Sequence, residues 1–135
     1  MSEYHPLRLT RFDFDAADFL ASEDVAAMTA AEVGQYILLL CAAWIGGKDA
    51  TLPDEPRTLA KLARAPRKVS ARVMRKFCPT SDNRLHNPRL TREWKAACAR
   101  AEVRREKARK AAQIGWSRRA PSMLEAEVEL AASNA

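Results

Sequence analysis

The run Tyr36-Ile-Leu-Leu-Leu-Cys-Ala-Ala-Trp-Ile45 constrains this chain more than any other stretch. Its ten residues are all apolar or aromatic, far short of the roughly 20 that span a bilayer, and they show no strand-like alternation. A buried helix is the reading that remains. Thr29-Ala-Ala-Glu32 lies just upstream and has the form of a capping box, in which the Thr hydroxyl accepts from the Glu amide and the carboxylate accepts from the Thr amide. Gly46-Gly47 supplies the stop. The helix is apolar around its whole circumference towards its end, so other elements must cover it on several sides. Cys41 falls within it and, like Cys98 further on, is expected to fill a helix core as a small hydrophobe.

The covering elements follow in order. Leu52-Pro-Asp-Glu-Pro56 introduces a second helix, with Asp54 as its cap and Pro56 in its first turn. Pro66 discourages helical geometry at Ala65 and suits the first position of a third helix. At 100° per residue, Val69, Val73 and Phe77 of that helix point inward. Lys68, Ala71 and Arg75 then point outward, flanked by Arg67 and Arg72. Phe77-Cys-Pro-Thr80 and Arg84-Leu-His-Asn87 flank the turn-formers Ser81-Asp-Asn83 and predict a small β-hairpin. Two helices joined by a tight turn and followed by a hairpin are the parts of a winged helix-turn-helix. A fourth helix starts near Pro88 and packs through Leu90, Trp94, Cys98 and Ala101. Beyond Ala101 it becomes basic and poor in large apolar residues, with Glu106 and Lys110 spaced for an i,i+4 pair. Ser117-Arg-Arg-Ala-Pro121 marks a break. The expected architecture is mainly α: a winged-helix core over 1–101 with an acidic amino-terminal segment, a basic helical extension over 102–119, and an acidic tail over 120–135, either disordered or a short amphipathic turn.

Charge is segregated along the chain. Residues 1–55 carry three bases and ten acids, residues 56–81 eight bases and no acid, and residues 89–119 eleven bases and three acids. Like charges this dense repel unless a polyanion relieves them, which points to duplex DNA as partner. The residues placed to touch it are Arg67, Lys68, Ala71, Arg72 and Arg75 of the third helix, where small Ala71 permits close approach. Arg84 and His86 of the hairpin join them, as do Arg104, Arg105, Lys107, Arg109 and Lys110 of the basic helix.

Little in the sequence resembles a catalytic constellation, and no enzyme is expected. His5 lies in the opening segment and His86 in the hairpin, with no nucleophile paired to either. Asp13, Asp15 and Asp18 crowd together, but no glycine-bearing calcium loop follows them. They read instead as a solvated acidic turn entering the core through Phe12, Phe14 and Phe19. Cys78, His86 and Cys98 match no common zinc spacing, so no metal is expected. Walker and dinucleotide-binding glycine patterns are absent, so no cofactor is expected either. Three widely spaced cysteines and an opening segment without an apolar run suggest a reduced, cytoplasmic protein with no membrane partner.

Phe12-Asp-Phe-Asp-Ala-Ala-Asp-Phe-Leu20, then Thr29 to Leu40 as a block, Trp44, Gly46-Gly47 and Leu52-Pro-Asp54 resemble the YdaU-like domain of unknown function found in phages and prophages. Leu59-Ala60, Phe77, Leu85 to Asn87 and the cationic helix ending in Trp116 extend the resemblance over residues 10–116. Such domains are similar to the winged-helix amino-terminal domains of phage replisome organisers, which implies DNA binding in replication initiation or its control. The resemblance implies no catalytic residues. Two alternatives stand beside it: a transcriptional regulator, and a protein-interaction module whose acidic amino-terminal face engages a basic replication protein. A second subunit is a further partner that this reading leaves open.

Overall fold

Helix α3 (Ala30–Gly46) is the scaffold of the structure, a computed structural model describing residues 9–46 and 48–133, with side chains to residue 119. Its start is the expected capping box: Glu32 N–H donates to Thr29 Oγ1 at 3.2 Å, and Thr29 N–H donates to Glu32 Oε1 at 2.9 Å. Tyr36, Leu39, Leu40, Ala43 and Trp44 are buried, a single face at helical spacing. Burial is therefore one-sided rather than circumferential: Cys41 and Ile45 are exposed on the other side. An exposed thiol replaces the core-filling role expected of Cys41.

Ahead of α3 lie two short helices, α1 (Ala16–Ala21) and α2 (Glu23–Ala26), where an acidic turn was expected. Asp15 caps α1 by accepting from the Asp18 amide, and Ser22 caps α2. Phe12 packs on Trp44 with ring centroids 5.3 Å apart, and Phe19 stacks on Tyr36 at 6.2 Å. Phe14 stays half-exposed against Phe19.

After α3, a 3₁₀ turn leads into strand β1 (Thr51–Pro53) and then helix α4 (Pro56–Ala63). The cap of α4 is Glu55, not Asp54: it stands immediately before the helix, and its carboxylate accepts from the amides of Arg57 and Thr58. Pro66 does not open the next helix. Arg64 takes a left-handed conformation (φ 56°), with Ala65 N–H donating to Ala60 O and Arg64 N–H to Lys61 O, so a Schellman motif ends α4. Residues 65–70 are non-helical, and helix α5 (Ala71–Met74) begins only at the Ser70 cap. It is a single turn. Arg67 and Lys68 therefore sit on the connection rather than on the helix.

Strands β2 (Cys78–Pro79) and β3 (Arg84–His86) form the expected hairpin in shortened form. The strand β1 completes a three-stranded antiparallel sheet of order β1-β3-β2, pairing Leu52 with Leu85. No sequence pattern announced it, because three residues ending in Pro carry no period. Helix α6 (Pro88–Ser133) follows. Asn87, buried at 3% exposure, caps it by accepting from the Leu90 amide, while its Nδ2 donates to the Tyr36 hydroxyl and the Lys76 carbonyl.

The chain divides into two compact units, Met1–Cys98 and Ala99–Ala135. In the first, α3, α4, α5, the sheet and the first turns of α6 bury one cluster that includes Leu39, Leu52, Leu59, Val69, Val73, Phe77, Leu85, Leu90 and Trp94. Trp44 and Trp94 meet edge to face at 5.1 Å, and Trp44 Nε1 donates to Leu9 O. Full burial of one such side chain as Leu39 contributes roughly 1.5–3 kcal/mol. In the second unit the helix continues through Ser117–Pro121, where a break was expected. The residues after Pro121 are rich in Ala, Leu and Glu, which favour propagation beyond it. The side chains of the acidic tail lie outside the described residues.

Candidate nucleic-acid interface

Between Pro56 and Ser81 the chain holds eight cations and no carboxylate, and the fold decides which of them are open. Arg57 and Lys61 lie on α4, Arg64 at its left-handed end, Arg67 and Lys68 on the connection and Arg75 at the end of α5. All six are exposed, and none is in a salt bridge among the described residues. Ala71, the first residue of α5, is exposed beside them.

Arg72 has a different position. Its guanidinium lies 3.5 Å from Glu32 and donates to the Ala27 carbonyl at 2.8 Å. Glu32 also accepts from the Ser70 hydroxyl, and Gln35 Oε1 accepts from the Ser70 amide at 3.2 Å. One carboxylate thus caps α3 and fixes the start of α5. The Ser70 hydroxyl above all, then the Thr29 amide and hydroxyl and the Arg72 charge, hold the Glu32 carboxyl below its ordinary range.

The two hairpin residues are likewise engaged within the chain. Arg84 donates through Nε to the Thr51 hydroxyl at 2.6 Å and through its guanidinium to the Thr51 carbonyl at 3.2 Å. His86 Nδ1 lies 3.2 Å from the Thr91 hydroxyl. Both are half-buried and tie β3 to its neighbours. The turn between the strands is set by Asn83 in a left-handed conformation (φ 58°) and by Asp82, whose carboxyl is lowered chiefly by the Thr80 hydroxyl.

In the second unit Arg104, Arg105, Lys107, Arg109 and Lys110 are all exposed. Arg105 pairs with Glu102 and Arg109 with Glu106 at i,i+3, so Glu106 takes Arg109 in place of the expected Lys110. Arg104, Lys107 and Lys110 are in no salt bridge among the described residues.

The helical phase taken from Pro66 thus grouped Arg67, Lys68, Arg72 and Arg75 as equals, although one of them serves the fold. It passed over Arg57, Lys61 and Arg64, which the charge run already contained. Permanently charged donors of this kind suit phosphate oxygens. Among the described residues no cluster of three His, Cys, Asp or Glu side chains is placed to hold a metal, and no helix is long and apolar enough to cross a membrane. Comparison of the chain with family models, with curated proteins and with solved structures returned no match.

Proposed function

We propose that this chain is a winged-helix protein that binds duplex DNA through the cations of the α4–α5 segment. The observation that carries the reading is the set of six exposed cations, Arg57, Lys61, Arg64, Arg67, Lys68 and Arg75, with no carboxylate in salt-bridge range among the described residues. The element order α3-β1-α4-α5-β2-β3 with sheet order β1-β3-β2 supports a winged helix, with α5 and its approach as the DNA-facing piece and the hairpin as the wing. A one-turn α5 favours contacts to the phosphate backbone over deep reading of base edges, so binding is dominated by charge. The exposed cations of the second unit add to it. The resemblance to the YdaU-like domains supports a role in replication initiation or its control, with transcriptional regulation as the neighbouring role for the same module.

A protein-interaction role finds support in the second unit, where Val103, Ile114 and Trp116 are more than half exposed. The acidic amino-terminal face supports it less. Asp15, Asp18, Asp24 and Glu32 are already paired with Arg89, Lys76 and Arg72.

Titration of a labelled duplex tests the proposal. With about four to six phosphate contacts, affinity falls roughly two to three decades between about 50 and 200 mM salt. The combined Arg67→Ala, Lys68→Ala and Arg75→Ala variant keeps its melting temperature, since exposed cations add little stability, and its salt slope falls by about 0.9 for each phosphate no longer neutralised. Absence of binding at the lower salt, or normal binding by the variant, overturns the reading.

A further inference from the structure

A second basic feature of the first unit shares Arg75 with the α4–α5 face and touches the base of the hairpin through Cys78. A pocket of about 330 Å³ is lined by Arg75 and Lys76 after α5, by Arg89 and Arg92 on the first turns of α6, and by Ser22 between α1 and α2. Among the described residues no carboxylate lines it. Two of its four cations are compensated nearby, Lys76 by Asp24 at 3.2 Å and Arg89 by Asp18 at 2.6 Å. Arg75 and Arg92 are exposed and are in no salt bridge among the described residues. The compensated pair holds its side chains in place, while the other two leave an unbalanced positive charge over a concave space. The opening turn of α6 faces the same space through Pro88, so the positive end of its dipole adds to the field.

We propose that this pocket is a binding site for a phosphate ester. Guanidinium groups converging from two elements match the forked geometry of phosphate oxygens, and the Ser22 hydroxyl is a further neutral partner. Phe19 and Tyr36 form an apolar part of the wall, suited to the organic portion of an ester rather than to a bare ion. The volume sits at the lower end of the roughly 300–1,000 Å³ typical of small-ligand sites. The phosphate can come from a nucleic-acid strand, which rests on the DNA-binding reading above, or from a free mononucleotide, which does not.

Amide NMR of the full-length protein, titrated at constant ionic strength, distinguishes these sources. The probes are inorganic phosphate, a deoxynucleoside 5′-monophosphate and a blunt duplex, each with the wild type, Arg92→Gln and Arg92→Lys. Arg92 is exposed, so loss of fold is not expected, and thermal melts verify it. Saturable shifts at Arg75, Lys76, Arg89 and Arg92 with the mononucleotide are expected, weakened roughly tenfold by Arg92→Gln, as for removal of one charge-assisted bond, and partly restored by Arg92→Lys. That result with an unchanged duplex salt slope assigns the pocket to a free phosphate ester. A duplex slope reduced by about one in Arg92→Gln assigns it to a strand phosphate. If neither phosphate probe saturates at these amides and the duplex slope is unchanged, the pocket proposal fails while the DNA-binding reading stands. Saturation by the mononucleotide without any duplex binding gives the reverse.

Discussion

Asn87 shows how much one residue decides. Its side chain joins the cap of α6, the Tyr36 hydroxyl on α3 and the Lys76 carbonyl after α5. Asn87→Ala strands a buried hydroxyl and a carbonyl and removes a helix cap, at a cost of about 2–4 kcal/mol in all. A denaturant midpoint checks this, and a loss below about 1 kcal/mol counts against the bridging role. Arg64 carries the opposite balance. Its left-handed backbone is unfavourable for any residue with a Cβ, by about 1–2 kcal/mol, and glycine recovers this less its own entropy cost of about 0.5–1 kcal/mol. Arg64→Gly is therefore expected to raise the melting temperature slightly while lowering the duplex salt slope by about 0.9. Lower stability with unchanged binding would mean that Arg64 serves the fold instead.

At the scale of elements, α3 and α5 are locked together by Glu32, whose side chain is only 12% exposed. Its folded-state pKa lies below the ordinary 4.5, first through the Ser70 hydroxyl. A depressed carboxylate contributes stability above its unfolded-state value and loses it as pH falls through the folded-state value. Glu32→Gln should consequently melt lower than wild type at neutral pH, and the gap should close as the pH drops below about 4.5. A gap that stays constant into acid would show that geometry alone, not the charge, ties the two helices. The capping box behind this lock was legible in Thr29-Ala-Ala-Glu32, since its partners are three residues apart. The bonds from Glu32 to Ser70 and Arg72 were not, because no local pattern reports a contact across that stretch of chain. The third helix was anticipated with the right inward residues, Val69, Val73 and Phe77, but five residues too early. Proline at position 66 is compatible with a helix start and does not compel one, whereas the Arg64–Ala65 turn and the Ser70 cap place α5 where it is.

For the molecule as a whole, every buried residue of the core cluster lies at or before Ala97. A chain ending at Glu102 should thus unfold cooperatively. It should also bind duplex more weakly across all sequences, with a shallower salt slope, because it lacks Arg104, Lys107 and Lys110. Non-cooperative melting of the shortened chain would show that the second unit is needed for the core. Unchanged DNA affinity would leave the exposed Val103, Ile114 and Trp116 as the more informative surface of that unit.

The sequence by itself determined the elements whose signals are local: the capped central helix, α4 with Pro56 in its first turn, the hairpin turn, and the segregation of acids before residue 56 from bases after it. Periodicity, caps and turn residues act over a few positions and leave a readable pattern. Only the tertiary structure decided that Thr51–Pro53 becomes a strand, because its pairing with Arg84–His86 joins segments far apart in the chain. It also decided the use of the charges. Folding brings Asp15 and Asp18 to Arg89, Asp24 to Lys76 and Glu32 to Arg72, so much of the acidic half serves as counterion to the basic half. A charge count cannot separate Arg72, held by Glu32, from Arg75, left open, since Coulomb energy depends on distance in space rather than in sequence.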